Sequence, residues 1–187
     1  MIILASNSPR RHELLKKLCN NFIIEACDVE EIQIADSPIE LAIKNAELKA
    51  KIIAAKHEQD IVIGADTIVA LDKKIFGKPA DKNGACEMLR ELANKKHEVI
   101  TGLAIVADKK IFSTAEITEV YFGEMSDKEI SEYVETGEPL DKSGSYALQG
   151  GATKFIKKIH GDWTNVVGLP IYKLRELAKT ARIIELK

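Results

Sequence analysis

The chain has 187 residues, with Lys+Arg 27 against Asp+Glu 29 and a formal net charge of −2. That length supports a sizeable core in one domain, or in one domain of two lobes, and the even charge argues against wholesale nucleic-acid binding. Cys19, Cys27 and Cys86 are scattered without C-x-x-C spacing, and no stretch approaches the ~20 apolar residues of a membrane span. A zinc site, a disulfide framework and a spanning helix are therefore not expected, and the composition reads as a soluble cytoplasmic protein with reduced thiols.

Met1–Ala5 is a short apolar run that reads as a buried strand. Ser8 then suits an N-cap and Pro9 the first position of a helix over Pro9–Cys19, with Leu14, Leu15 and Leu18 on its apolar face. Phe22–Ala26 reads as a short strand. Ser37-Pro38 opens a long helix to about His57, with Leu41, Ala42, Ala46, Leu48, Ile52 and Ile53 facing inward. Ile61–Ala65 and Ile68–Leu71 are strand-like runs on either side of Asp66-Thr67. Asp72-Lys73-Lys74 reads as a hairpin turn and Lys78-Pro79 as a loop, and a helix capped by Asp81 covers Lys82–Ala93. Glu98–Ala107 and Lys110–Phe122 read as long antiparallel strands joined at Asp108-Lys109. Ser126 and Glu129 form a capping box for a helix to Glu135. A loop from Gly137 to Gly151, a strand over Thr153–Ile159, a helix after Leu169-Pro170 and a terminal strand over Arg182–Leu186 complete the reading. Such alternation predicts an α/β fold with a mixed sheet, kept as one domain because no linker interrupts it.

The first strand-to-helix turn collects Ser6, Ser8, Arg10 and Arg11 at a helix N-terminus, where free N–H groups favour an anion. Two arginines in a first helical turn oppose the helix dipole, and an anionic ligand would remove that conflict. Asp66, inside an apolar run beside Gly64, is costly to bury unless paired or liganded; it reads either as a catalytic base or metal ligand, or as a turn residue. Thr67 beside it donates to a ligand or closes the turn. Taken singly, Lys49 and Lys78 read as surface lysines and Glu30-Glu31 as surface charge, although one of that acidic pair could hold a divalent cation. Gln149, in a glycine-rich loop, carries the donor and acceptor needed to read a base edge.

Together, in their order, the motifs resemble the Maf family of nucleoside triphosphate pyrophosphatases. The opening Ser6-Asn7-Ser8-Pro9-Arg10-Arg11-His12-Glu13-Leu14-Leu15 is followed by Asn45-Ala46-Glu47-Leu48-Lys49-Ala50, Gly64-Ala65-Asp66-Thr67-Ile68-Val69, Gly77-Lys78-Pro79 and His97-Glu98-Val99-Ile100-Thr101-Gly102. Gly137-Glu138-Pro139-Leu140-Asp141-Lys142-Ser143-Gly144-Ser145-Tyr146-Ala147-Leu148-Gln149-Gly150 and Asn165-Val166-Val167-Gly168-Leu169-Pro170 close the series, so the resemblance covers essentially the whole chain. Ser143 and Ser145 stand where alanines are common, a small change.

The resemblance implies a mixed twisted sheet flanked by helices in one two-lobed domain over residues 1–187. It also implies a nucleotide cleft between the lobes, similar to the inosine triphosphate pyrophosphatase fold. The implied reaction is hydrolysis between the α- and β-phosphates, with a divalent cation, Mg²⁺ or Mn²⁺. Asp66 matches the family's proton acceptor. Arg10, Thr67 and Gln149 match the branch acting on dTTP and UTP, where the 7-methyl-GTP branch has Trp, Gln and Glu. In that setting Ser6, Ser8, Arg10, Arg11, Lys49 and Lys78 would hold the triphosphate, Asp66 and Glu31 the metal, and Thr67 and Gln149 the base. A homodimer is implied as well. The alternative is a regulator of cell division or septum formation that senses nucleotide, or binds nucleic acid, with little turnover.

Overall fold

In the computed structural model, which describes residues 1–186, Ile2–Leu4 (β1) lies fully buried between two parallel neighbours. Phe22–Ile24 (β2) pairs with it on one side, with Ile2 opposite Phe22. Ile61–Leu71 (β3) pairs on the other, with Ile2 opposite Ile61 and Leu4 opposite Ile63. The connections between these strands are helices. Pro9–Leu15 (α1) is capped by Ser8, and Pro38–Ala54 (α2) by Ser37, whose hydroxyl accepts from Glu40 N–H at 3.2 Å. Because the chain leaves β1 toward β2 and returns past it to β3, the carboxyl end of β1 is a switch point of the sheet, the place where open α/β sheets leave a crevice for ligands.

Lys74–Phe76 (β4) turns back antiparallel on β3 after Asp72, which takes a φ of 55°. Lys82–Leu92 (α3) follows, then Lys96–Ala107 (β5) and Lys110–Phe122 (β6). The latter two are joined by Asp108-Lys109, both at positive φ, as a two-residue type I′ hairpin requires. Asp127–Glu135 (α4) has the capping box that its sequence predicts. Ile156–His160 (β7) pairs antiparallel with β6, and Trp163–Val167 (α5) and Ile171–Thr180 (α6) end the regular structure. The strand order is β2-β1-β3-β5-β6-β7, with β4 on β3. The α/β class with a mixed sheet is thus as expected.

The chain forms two compact units. One comprises Met1–Thr67, Thr101–Glu116 and Gly168–Lys187, with Ile3, Ala5, Ala46, Ala50, Ile53, Val62 and Ala104 as its core. The other comprises Ile68–Ile100 and Ile117–Val167, built on Phe76, Leu89, Leu92, Val99, Phe122, Tyr133, Tyr146 and Phe155.

Several local expectations differ from what the chain does. Asp66-Thr67 is not a turn between two runs: β3 passes through it unbroken, because neighbours in the fold satisfy both side chains. The strand expected over Thr153–Ile159 begins only at Ile156. Before it, Thr153 Oγ1 donates to carbonyls at Leu148 and Gly150 and curls Gly151–Phe155 into a 3₁₀ turn. No strand forms over Arg182–Leu186. Arg182 takes a φ of 59° and Ile183 N–H returns to the Ala178 carbonyl at 2.8 Å, a Schellman-type stop to α6. The Gly137–Gly151 loop contains two 3₁₀ turns, Glu138–Asp141 and Ser143–Ser145.

Candidate active site

Helix α2 approaches β3 more closely than side chains usually allow. A Cβ placed on Gly64 would lie 2.2 Å from the Ala46 carbonyl oxygen, and one on Gly102 of β5 would lie 2.2 Å from that of Ala42. Ala42, Ala46 and Ala50, all buried, form the facing ridge of the helix. Glycine on the strands and alanine on the helix therefore bring the two backbones together, and Lys49 of α2 reaches Asp66, two residues beyond Gly64.

Asp66 and Lys49 are both buried, with side chains 8% and 11% exposed. Lys49 Nζ donates to Asp66 Oδ1 at 2.6 Å and to Glu31 Oε1 at 2.7 Å. One ammonium thus sits between two carboxylates, which is how a buried acid within an apolar strand is tolerated. Asp66 Oδ2 has no protein hydrogen bond among the described residues, so one carboxylate oxygen is fixed and the other is open to a water or ligand.

The two arginines of α1 divide their work. Arg11 spends four of its five N–H groups on the protein: Nε on the Gly168 carbonyl at 2.8 Å, Nη1 on the Ala65 carbonyl at 2.9 Å and Ser6 Oγ at 3.3 Å, and Nη2 on Thr67 Oγ1 at 2.9 Å. Burial lowers the Arg11 pKa, and the nearby charges of Asp66 and Glu31 counter that. Arg11 is thereby a strut tying α1 to the Ala65 carbonyl and the Thr67 hydroxyl, on either side of Asp66. Arg10, half-buried, has no hydrogen bond or ion pair among the described residues. Ser6 Oγ also accepts from Ser8 N–H at 3.2 Å, while Ser8 Oγ caps Arg11 N–H at 3.5 Å. Thr67 Oγ1 lies 2.9 Å from Thr101 Oγ1, which is fully buried.

Lys78 and Gln149 belong to the second unit. Both are exposed and without a protein partner among the described residues. The loop bearing Gln149 is held from within that unit. Tyr133 Oη donates to Glu138 Oε1 at 2.7 Å and accepts from Ala147 N–H, and Gly151 N–H donates to Glu138 Oε2 at 3.1 Å. Tyr146 anchors the same loop by packing edge-on against Phe122 and His97, with His97 Nε2 at 2.8 Å from Tyr146 Oη. Nothing in the sequence pattern singles out Glu138, Tyr133 or His97 for this supporting part.

With Ser6, Ser8, Arg10, Arg11, Glu31, Lys49, Asp66 and Thr67 gathered in one unit around the end of β1, the fold and side chains define an α/β protein with an acid–lysine centre at a sheet switch point. The chain belongs to the Maf family: the model for the Maf-like protein matches residues 1–181. Curated relatives include the dTTP/UTP pyrophosphatase of Alkaliphilus oremlandii, 50% identical, with 92% of each chain covered. The dTTP/UTP pyrophosphatases of Bacillus cytotoxicus (48% identical; 94% of this chain and 93% of that one) and Koribacter versatilis (42%; 98% and 95%) are similar in the same way. Among solved structures, the Staphylococcus aureus Ham1 protein aligns over 96% of this chain and 98% of its own, with a TM-score of 0.48 and 16% identity, a likeness too slight to bear on function.

Proposed function

We propose that this protein is a cytoplasmic pyrophosphatase that hydrolyses dTTP and UTP to the nucleoside monophosphate and pyrophosphate. The observation that carries the chemistry is the buried Asp66, held at Oδ1 by Lys49 and unoccupied by protein at Oδ2. In this reading Oδ2 accepts the proton of a water as its oxygen attacks the α-phosphorus. The α–β bridging oxygen leaves with pyrophosphate, taking the electrons of the broken bond. Lys49 keeps the carboxylate aimed and supplies positive charge to the phosphates, with Arg10 and Lys78 adding more. Arg11 braces the Ala65 carbonyl and the Thr67 hydroxyl on either side of Asp66, while Ser6 and Ser8 shape the turn at which the phosphates arrive. Thr67 and Gln149 discriminate the pyrimidine, and a site that hydrogen-bonds a base edge rejects bases that leave its polar groups unpaired.

The residues fit a divalent cation assembled with substrate rather than a preformed cage. Glu31 and Asp66 already flank one cationic position, yet no group of three or more metal-ligating His, Cys, Asp or Glu side chains occurs among the described residues. Mg²⁺ commonly takes one or two carboxylates and completes its shell with phosphate oxygens and water. Asp66 and Glu31 would hold the ion, which when bound neutralises phosphate charge and lowers the pKa of a coordinated water. The test is pyrophosphate release from a panel of canonical and modified nucleoside triphosphates with Mg²⁺ or Mn²⁺. Selective hydrolysis of dTTP and UTP, lost in Asp66→Asn with nucleotide binding retained, is the expected result. A folded wild-type protein that hydrolyses none of them refutes the assignment and favours a nucleotide-sensing role.

A further inference from the structure

The buried stripe of α2 reads Leu41, Ala42, Asn45, Ala46, Lys49, Ala50 and Ile53, and its two polar members are one helical turn apart. Lys49 has its carboxylates. Asn45, only 2% exposed, has a different partner: the backbone of Ile32. Ile32 N–H donates to Asn45 Oδ1 at 2.7 Å, and Asn45 Nδ2 donates to the Ile32 carbonyl at 3.1 Å. A neighbouring strand would supply the same pairing; instead one side chain makes it to a segment, residues 25–37, that has no helix or strand. Burying an amide in an apolar stripe is unfavourable unless both its ends are bonded, as both ends of Asn45 are.

Ile32 directly follows Glu31, whose side chain is 41% exposed. A half-exposed glutamate on an irregular segment samples many positions unless its backbone is fixed, and ordering such a group costs conformational entropy that something must offset. The Gln33 and Ile34 N–H groups next in the chain have no partner among the described residues. We propose that Asn45 is a positioning residue for Glu31: it pins the Ile32 peptide to α2 so that Glu31 meets Lys49 and completes the carboxylate–ammonium–carboxylate set around Asp66. The inference deepens the pyrophosphatase reading and rests on it for the role of Glu31.

Two measurements test it. Amide hydrogen exchange on the wild-type protein should show Ile32 exchanging at least about tenfold more slowly than Gln33 and Ile34, with that protection lost in Asn45→Leu, which preserves side-chain size, and kept in Glu31→Gln. Equal exchange of the three wild-type amides overturns the clamp without any variant. In steady-state hydrolysis of dTTP, Asn45→Leu should lower kcat about 10- to 100-fold with KM little changed, as displacement of an active-site group does. The double variant with Glu31→Gln should then be no worse than Glu31→Gln alone, because both remove one function. Losses that multiply, or a Glu31→Gln protein with undiminished kcat, overturn the role assigned to Asn45. Absence of hydrolysis in the wild type would instead refute the pyrophosphatase reading, and the exchange measurement would still decide the clamp.

Discussion

The contact between α2 and β3 makes Gly64→Ala the most searching substitution in this protein. The added methyl would stand 2.2 Å from the Ala46 carbonyl oxygen and 3.0 Å from both the Ala50 Cβ and its backbone nitrogen. An ordinary contact begins near 3.4 Å, so helix and strand must separate by roughly 1 Å; overpacking of this kind costs about 1–3 kcal/mol. The obstacle is backbone, so no rotamer change relieves it. A shift of that size opens the 2.6 Å bond between Lys49 and Asp66 beyond hydrogen-bonding range, and misplacement by about 1 Å costs on the order of 10²-fold in turnover. Urea unfolding followed by circular dichroism should give the stability loss, and pyrophosphate release the loss in kcat. Gly84→Ala is the control: its Cβ meets nothing closer than 3.6 Å, it lies inside α3, and alanine there should raise stability by about 0.5–1 kcal/mol with activity unchanged. A Gly64→Ala protein with wild-type kcat, even one less stable, would refute the argument that this close approach places Lys49.

The adjacent arginines should separate cleanly. Arg11→Lys, which keeps the charge but not the fork, should lower stability by about 2–4 kcal/mol, whereas Arg10→Ala should leave stability within about 0.5 kcal/mol and raise KM for dTTP; the same two assays report both, and equal stability effects would contradict the division drawn from their hydrogen bonds. Gln149→Glu should weaken dTTP and UTP hydrolysis with a native circular dichroism spectrum, since Gln149 is exposed and unpaired among the described residues; an unchanged nucleotide preference counts against base reading there. His97, buried against Phe122 and Tyr146, has its pKa pushed down to about 4 by burial. Between that value and the ~6.5 of an unfolded histidine the unfolded chain binds more protons, so stability falls as pH falls through this window, by about 3 kcal/mol in all. In urea unfolding from pH 7 to pH 4 the wild type should lose about 3 kcal/mol relative to His97→Phe, and parallel curves would show that His97 is not the group.

The fold is legible where apolar periodicity is strong and capping chemistry is local. Ser37-Pro38, Asp81 and the Ser126–Glu129 box start helices where the sequence predicts them, and the Asp108-Lys109 hairpin joins the two long strands. What escapes depends on distant partners. The polar pair Asp66-Thr67 looks like a break in an apolar run because the lysine and arginine that satisfy it come from 17 and 56 residues away in sequence. β4 is three residues long, and α5 is a five-residue helix begun by Asp162, whose carboxylate accepts from Thr164 N–H at 2.7 Å; neither is long enough to display a period.

The site is legible as a set of residue types but not as a division of labour. Lys49 taken alone reads as a surface lysine, yet it lies with Asn45 in the stripe otherwise filled by Leu41, Ala42, Ala46, Ala50 and Ile53, and two polar residues four apart in an apolar stripe are a signal of buried chemistry that periodicity does expose. Arg10 and Arg11 carry no such signal. Both sit in the first turn of one helix, and the 100° between successive residues turns one side chain toward Gly168, Ala65 and Thr67 and leaves the other without a protein partner among the described residues. The cations that oppose the α1 dipole therefore differ: Arg11 is satisfied by carbonyls and hydroxyls of its own chain, whereas in the proposed function Arg10 is answered by the phosphates of the substrate. Under that proposal the asymmetry is useful: Arg11 braces the site before substrate binds, and Arg10 keeps an unspent positive charge for it.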